Sequence, residues 1–345
     1  MAFISFQPKD HFNTKIYTGN SGTQALTGVG FQPDLVWIKN RNDSNNQSNV
    51  LYDSVRGVTK YLSSNSNAVE GTEAAGVTAF GTDGFTVGNT VTVNTGFNYV
   101  AWNWKAGGAA SSNSNGSITS SVSANTTAGI SIVAYTGTGS AGATVGHGLG
   151  VKPSLIIEKG RAGVTDDWLI YHQSYGATDG FALNNQTGAT DSDSYWNDVE
   201  PTSTVFTIGN NGKVNTNGAT HIAYCLAEKS GYSKFGDFYG NGNANGAFVF
   251  CGFRPAWVMM KRADGGSEDW RICDNKRDPE NVMDRVLFAN LSNVESDADV
   301  LDFLSNGFKL RTTDGGMNAS GGRYIYMAFA EHPLVASNGD PATAR

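Results

Sequence analysis

A short phrase occurs three times in the chain, and this repetition constrains the fold more than any other feature of the sequence. The versions are "GFQPDLVWIKNR", "LGVKPSLIIEKGR" and "CGFRPAWVMMKRA". In each, a proline precedes a run of large apolar residues, and a lysine lies six residues after the proline. Proline fixes φ and lacks an N–H donor, so it belongs at the start of a strand. The phrase predicts a central strand that begins at Pro33, Pro153 or Pro255 and ends at Lys39, Lys159 or Lys261.

Further landmarks recur in register with the three prolines. A phenylalanine follows each proline by 52 or 53 residues: Phe85, Phe206 and Phe308. A closing segment starts 66 to 69 residues after the same prolines, as "YVAWNWK", "HIAYCLA" and "YIYMAFA". Its large apolar residues alternate with other residues, which is the period of a β-strand. Short apolar runs at Val50, Trp168 and Trp270 predict another strand in each copy.

Copies of about 100 residues built from short strands are too large for solenoid units and suit a β-sandwich. We therefore predict an all-β chain of three tandem β-sandwich repeats standing in a row. The predicted boundaries are 1–108, 129–231 and 232–334, with a flexible Gly/Ser/Asn linker at 109–128 and a polar tail at 335–345. No comparable linker separates the second and third copies, so those two are expected to pack in a fixed orientation.

Composition excludes several classes of protein. The net charge is −7 and no basic block is present, which argues against a nucleic-acid partner. No apolar run approaches the roughly 20 residues of a membrane span, and the first residues do not resemble a signal peptide. The three cysteines form no CxxC pair, so we expect free, buried thiols rather than disulfides or a zinc site.

The repeats resemble a family of bacteriophage virion proteins that is common in phages of marine bacteria. The resemblance rests on "GFQPDLVWIKNR", "VLYDSVRGVTKYLSSN", "GYSKFGDFYGNGNANG", "FLSNGFKLRT" and "YIYMAFAEHP" together, and it extends to about Pro333. It implies concanavalin A-like or jelly-roll-like sandwiches, a tail-fibre or other structural role, and a surface that binds host glycans. The family supplies no site residues to transfer, and the absence of a heptad run favours a compact appendage or a head decoration over a long fibre.

Catalytic patterns are weak throughout. "GTGSAG" at 137–142 matches GxGxxG, but no helix is expected to follow it, so a turn is the better interpretation. A glycosidase needs paired carboxylates, whereas Glu228 and Glu331 stand singly at strand ends. The histidines lack the spacing of a helical zinc pair: His11, His147, His172, His221 and His332. No catalytic residue, metal ligand or cofactor is predicted.

Two acidic clusters, at 191–198 and 295–302, are expected to be solvated loops rather than calcium sites, because neither fits an EF-hand. The first cluster offers the single candidate binding site, a surface on which a sugar could stack. It consists of Tyr195 and Trp196 beside Asp191, Asp193 and Asn197. Burial of Trp196 in the core is the competing interpretation.

These observations lead us to expect a non-enzymatic structural protein of a phage virion, assembled in the host cytoplasm. A tail appendage that contacts the host surface is the leading hypothesis. A capsid decoration or cement protein is the alternative, and a polysaccharide-degrading enzyme is a third. Expected partners are other virion proteins and further copies of the chain, because sandwich edges can be covered by another subunit. A trimer is expected by analogy with phage fibres, and the diverged loops are where function is expected.

Overall fold

The structure, a computed structural model, describes residues 6–265 and 267–332. The predicted tail at 335–345 lies outside the described residues. The chain is all-β, as predicted, with three short α-helices and a 3-10 helix at Pro8–Asp10 among the described residues. Within the same residues, none of the helices has the length and apolar character that a membrane span needs.

The first copy consists of nine strands in two sheets. The main sheet has the order β1-β9-β3-β4-β5-β6 and the second sheet has the order β2-β8-β7. The strands are β1 Phe12–Thr18, β2 Gln24–Thr27, β3 Leu35–Asn40, β4 Val50–Asp53, β5 Lys60–Ser63, β6 Gly71–Thr72, β7 Val77–Gly81, β8 Gly84–Val87 and β9 Asn98–Trp104.

The second copy has a main sheet of order β10-β11-β12-β19-β14-β15-β16-β17 and a small sheet β13-β18. Its elements are β10 Ser111–Asn113, β11 Ser120–Asn125, β12 Ile130–Thr136, β13 Ala143–Gly146, β14 Leu155–Ala162, β15 Leu169–His172, β16 Asp179–Ala182, β17 Thr190–Asp191, α1 Asp193–Trp196, β18 Val205–Ile208, α2 Gly212–Asn215 and β19 Thr220–Leu226.

The third copy is one sheet of eight strands in the order β20-β27-β22-β23-β24-β25-β26-β21. Its elements are β20 Ser233–Tyr239, β21 Phe248–Phe250, β22 Pro255–Arg262, β23 Arg271–Asp274, β24 Met283–Phe288, β25 Ser296–Leu304, β26 Gly307–Leu310, α3 Gly315–Asn318 and β27 Arg323–Ala330. The acidic cluster at 295–302, expected as a loop, lies mostly within β25.

The repeated phrase forms a central strand in all three copies: β3, β14 and β22. Each lies between the closing strand and the next strand along the chain. The cross-strand register is also the same, because Trp37 pairs with Trp102, Ile157 with Tyr224 and Met259 with Met327. Corresponding positions in the sequence therefore occupy corresponding positions in the three sheets.

Each central strand buries both of its faces, and the two faces belong to different cores. In the first copy, Val36 and Ile38 pack inside that copy's own sandwich. Leu35 and Trp37 point the other way, into a core that contains buried residues of all three copies. Successive side chains of a strand alternate between its faces, so one apolar run can serve two cores. The copies are thus gathered around a shared core and do not stand in a row.

The segment predicted as a flexible linker is also ordered. Within 109–128, β10 and β11 form a hairpin whose second strand pairs with β12 and so extends the main sheet of the second copy. Small Ser, Asn and Ala residues form these strands because the backbone pairing does not depend on large side chains, while buried Ile118 and Val122 anchor the segment to the sandwich core. The linker prediction is wrong for this reason.

Equivalent residues join the three copies in a cycle. The lysine of each phrase is buried and donates a hydrogen bond to a backbone carbonyl of a neighbouring copy, in the order first to third, second to first and third to second. The contacts are Lys39 Nζ to Ser292 O (2.7 Å), Lys159 Nζ to Asn67 O (3.1 Å) and Lys261 Nζ to Gln186 O (2.7 Å). The lysines therefore join copies and do not merely end strands.

Three further sets of contacts follow the same cycle. The residue before β4, β15 and β23 donates a side-chain N–H to a carbonyl of the next copy: Asn49 to Phe288 (3.0 Å), Trp168 to Ser63 (2.9 Å) and Trp270 to Ala182 (2.9 Å). The residue that ends each of those strands contacts the neighbouring closing strand: Tyr224 donates to Asp53 (2.8 Å), Trp102 donates to Asp274 (3.0 Å), and His172 meets the Tyr326 carbonyl (3.3 Å).

The third set pairs backbones directly, through Glu70 N–H to Arg161 O, Glu295 N–H to Arg41 O and Ala189 N–H to Ala263 O, each 2.9 Å. Each copy therefore contacts both of the others.

Candidate functional site

The predicted sugar platform is not present as a surface. Tyr195 and Trp196 form the end of α1, and both rings are buried in the core of the second copy, Trp196 with 1% exposure. The Trp196 ring contacts Tyr171 and Phe206 edge-on. Their neighbours Asp191 and Asp193 are exposed, and Asn197 ends the helix in the left-handed region. The aromatic and acidic residues are thus close in sequence, but the rings face the core and cannot stack on a sugar.

The GxGxxG match and the two glutamates that were weighed against a catalytic role also have structural explanations. "GTGSAG" connects β12 to β13 without a helix, as expected for a turn. Glu228 binds Lys234 at 2.9 Å and Glu331 binds Lys276 at 2.5 Å, so both carboxylates are paired. Among the described residues, no three His, Cys, Asp or Glu side chains are grouped so that they could hold a metal ion.

The three cysteines are free and buried, as predicted. Burial raises the pKa of the Cys251 and Cys273 thiols to about 12, and that of Cys225 still further. A thiol with so high a pKa does not form the reactive thiolate at neutral pH.

The structure also contains an open groove at the edge of the third copy. It lies between the edge strands β20 and β21, has a volume of about 560 Å³, and is called here the third-copy seam. Its lining comprises Lys234 to Phe238 of β20, Phe248 to Phe250 of β21, Tyr326 of β27, and Lys152, Gln173 and Ser174 of the second copy.

Exposed aromatic rings line one wall of the seam. Phe248 is 47% exposed and Phe250 is 63% exposed, whereas Val249 between them is buried in the third copy's core. Large exposed apolar side chains that lie together usually mark an interaction surface, because isolated proteins seldom leave such patches in water.

The charged side chains at the seam are paired with one another. Lys234 binds Glu228 at 2.9 Å, and Arg323 binds Asp237 at 2.8 Å. Lys152 binds Glu200 at 2.6 Å. The pKa of Glu200 lies below its usual value, because the hydrogen bonds from Lys152 and Tyr171 outweigh the opposing effect of burial. The seam therefore presents apolar rings within a rim of little net charge.

The backbone of β21 is available at its outer edge. β21 pairs with β26, and Val249 of β21 lies opposite Phe308 of β26. The pairs on either side, Ala247–Leu310 and Cys251–Asn306, are joined by backbone hydrogen bonds. Antiparallel pairs alternate, so the N–H and C=O groups of Phe248 and Phe250 point away from β26 and towards the seam. The Phe250 carbonyl has a long contact of 3.5 Å with the Tyr326 hydroxyl. Burial raises the pKa of Tyr326, which keeps this hydroxyl neutral.

A scan of family models finds one match, over residues 7–333, to a family described as "Domain of unknown function (DUF7483)". The chain belongs to this family. No curated protein and no solved structure matches the chain. The DUF7483 match runs through all three copies, which agrees with a unit that is held together by a shared core.

Comparison of the three copies in this DUF7483 member shows how the seam differs. The residues on either side of the buried apolar position are Ala25 and Thr27 in β2, Thr144 and Gly146 in β13, and Phe248 and Phe250 in β21. Our sequence analysis missed these phenylalanines because "FVF" is typical of a strand buried on both faces. Alignment of the copies on their prolines could have found them, since the other two copies have small residues there.

Proposed function

We propose that the protein is a non-enzymatic structural component of a bacteriophage particle, and that it serves as a compact tail appendage that binds at the host surface. The observation that carries this proposal is the third-copy seam, where two exposed phenylalanines stand on a scaffold of buried sheets. The resemblance of the repeats to phage virion proteins supplies the setting.

The packing of the copies supports a mechanical role. Ion pairs or side-chain hydrogen bonds cross every boundary between copies. In the third copy, the buried Arg277 binds both Asp274 and Glu295. Glu295 also binds Arg41 of the first copy. A scaffold held in this way presents its exposed surfaces in fixed positions, so little ordering entropy is lost when a partner binds. This suits a protein that transmits contacts within a particle.

The chemistry of the seam supports binding rather than catalysis. A glycosidase needs one carboxyl group as an acid and a second as a nucleophile or base. The carboxylates at the seam, Glu228 and Asp237, are each held by a cation, Lys234 and Arg323 respectively. Neither carboxylate therefore stands beside a second carboxylate with which it could share the two roles.

A capsid decoration protein is the second candidate, and one observation favours it. Open strand edges such as those of β20 and β21 are the surfaces on which one protein subunit adds to another. A decoration protein binds only other virion subunits, whereas an appendage also contacts the host. The expected homo-oligomer stays a prediction in both cases.

The experiment is electron microscopy of particles of the phage that encodes this chain, labelled with antibody against residues 233–332. Label at the tail supports the appendage, and label over the head shell supports the decoration protein. Absence of the chain from purified particles would refute both. Release of reducing sugar from host envelope by the isolated protein, lost on Glu228→Gln and not on Glu331→Gln, would replace both with the enzyme.

A further inference from the structure

The second copy fills the position that is open in the third copy, and it does so with its own chain. Residues 117–125 run between β12 and β13, which correspond to the edge strands β20 and β21 of the third copy. On one side, β11 pairs with β12, with Ser121 opposite Ala134 and Ser123 opposite Ile132. On the other side, Ile118 forms a parallel bridge to Val145. The segment thus joins the two edges.

The contacts of this segment are mainly to the backbone. The Ile118 N–H donates to the Thr144 carbonyl at 2.9 Å, and the Ser120 hydroxyl donates to the Gly146 carbonyl at 2.8 Å. Both accepting residues flank the buried Val145 of β13. The apolar side chains of the segment, Ile118 and Val122, are buried in the second copy's core. An extended polypeptide with apolar side chains on one face therefore fits this site.

Among the residues that the structure describes, no chain segment covers the same groups in the third copy. Phe248 and Phe250 occupy the positions of Thr144 and Gly146, and their outer backbone groups face the seam. β20 pairs with β27 on one side only, in the part of the chain that the structure describes. The second copy caps one residue of this edge, because Glu228 accepts from the Phe235 N–H and Gln173 donates to its carbonyl. The rest of the seam is open.

We propose that the third-copy seam is a docking site for an extended polypeptide segment of a partner chain, which adds at the edge of β21 as residues 117–120 add at β13. The segment binds the outward backbone groups of Phe248 and Phe250 and covers their rings. This inference rests on the proposed binding role of the seam, and it holds whether the partner lies in the tail or the head.

The seam also defines the chemistry of the partner. Its charges are already paired, through Lys152 with Glu200, Lys234 with Glu228 and Arg323 with Asp237, so an uncharged segment is favoured. Ile118 and Val122 lie in the same core as Val145, so aliphatic side chains at those positions of a bound segment would face Val249, and the residues between them would lie beside the phenyl rings. A neutral saccharide could stack on the same rings, but it would not use the strand edge, and the occupant seen in this molecule is a polypeptide.

The test uses the full chain and a fluorescent synthetic peptide with the sequence of residues 114–125, "SNGSITSSVSAN". We expect saturable 1:1 binding by fluorescence anisotropy. The variant Phe248→Ser/Phe250→Ser should weaken it at least tenfold. The matched control, Ala25→Ser/Thr27→Ser in the first copy, should leave it unchanged. Both variants change exposed or edge residues, and an unaltered melting temperature confirms that each is folded.

Three outcomes overturn the inference. The first is no peptide binding up to millimolar concentration, and the second is binding that is equal in the Phe248→Ser/Phe250→Ser variant. The third is binding of a neutral oligosaccharide, with maltoheptaose as the probe, that depends on the two phenylalanines while the peptide does not bind. None of these outcomes bears on whether the chain is found in particles, which antibody labelling decides separately.

Discussion

Truncation of Trp257 tests whether the three copies unfold as one unit. This side chain of the third copy is fully buried in the shared core, with its ring 6.1 Å from that of Trp102 and 5.8 Å from that of Trp104, both in the first copy. It also contacts Phe329 of its own copy at 5.9 Å. Replacing a large buried aromatic side chain by alanine costs about 3–5 kcal/mol, because burial is lost and a cavity remains. We expect about 4 kcal/mol for Trp257→Ala.

The shift in melting temperature depends on the size of the cooperative unit. Unfolding entropy is about 2.1 cal/mol/K per residue near the transition, which is about 0.7 kcal/mol/K for the whole chain of 345 residues. A separate domain of about 100 residues would have about 0.2 kcal/mol/K. A loss of about 4 kcal/mol therefore lowers the melting temperature by about 6 °C if the chain unfolds together, and by about 20 °C if the third copy unfolds alone.

Differential scanning calorimetry of the wild type and of Trp257→Ala makes this measurement. We expect one transition in both proteins, with the calorimetric enthalpy equal to the van't Hoff enthalpy. Met260→Ala, at a residue of the same strand that packs in the third copy's own core, should shift the same single transition. Three resolved transitions, or a shift of about 20 °C confined to one of them, would refute the shared core as the unit of stability.

Three further predictions follow from buried charges and thiols. Asp53→Ala should lower the free energy of unfolding by about 3–5 kcal/mol, because it removes the nearer of the two carboxylates that pair with the fully buried Arg56, whereas Asp264→Ala in an exposed pair should cost less than about 1 kcal/mol in the same urea titration; equal effects would contradict this. Burial lowers the pKa of folded Lys39 to about 7 from 10.5, so the folded state binds fewer protons than the unfolded state between these values and stability should rise with pH there. Between pH 7 and pH 9, the free energy of unfolding of the wild type should rise by up to about 2 kcal/mol relative to that of Lys39→Met, as measured by urea titrations at the two pH values. This figure is an upper bound because the carbonyls that Lys39 Nζ binds favour its charged form. Equal pH slopes for the two proteins would refute the prediction. The three cysteines should resist iodoacetamide at pH 8 until the protein is unfolded, as followed by mass spectrometry, and labelling of the folded chain would count against their burial.

The strands could be predicted because their pattern depends on local chemistry. Pro33 and Pro153 precede strands that begin two residues later, and Pro255 begins its strand directly. The alternation in the closing strand identified β9, and the same residues in the other copies identified β19 and β27. Repetition strengthened each assignment, since an accidental pattern would not recur at the same distance from three prolines.

The arrangement of the copies could not be predicted in the same way. An apolar run such as Leu35 to Ile38 shows that both faces of the strand are buried, but a pattern does not say whether the second face packs on the same copy or on another. The lysines illustrate the difficulty, because Lys39 is typical of an exposed strand end and yet is buried against a carbonyl of the third copy. The equivalent lysine contacts join residues between 75 and 253 positions apart, beyond any local signal.

The failures at the linker and at Trp196 have a common cause. Sequence reasoning assigned function to aromatic residues beside polar ones, and flexibility to runs of Ser, Asn and Gly. Trp196 is in the core because α1 directs its ring inward. Residues 117–125 are ordered because a strand edge forms hydrogen bonds with a neighbouring backbone without requiring particular side chains. The candidate site lies at a strand edge, where backbone pairing, rather than side-chain type, decides the structure.

A single chain of three copies can do what a ring of three identical chains cannot. Identical subunits would present three identical seams, whereas these copies differ at the same edge. The second copy closes its seam with residues 117–125, and the third copy leaves its seam open and lined by Phe248 and Phe250. The outward positions of the first copy, Ala25 and Thr27, have no comparable apolar surface. Divergence between copies of one chain therefore confines the proposed binding surface to one copy, while the interfaces between the copies keep their equivalent contacts.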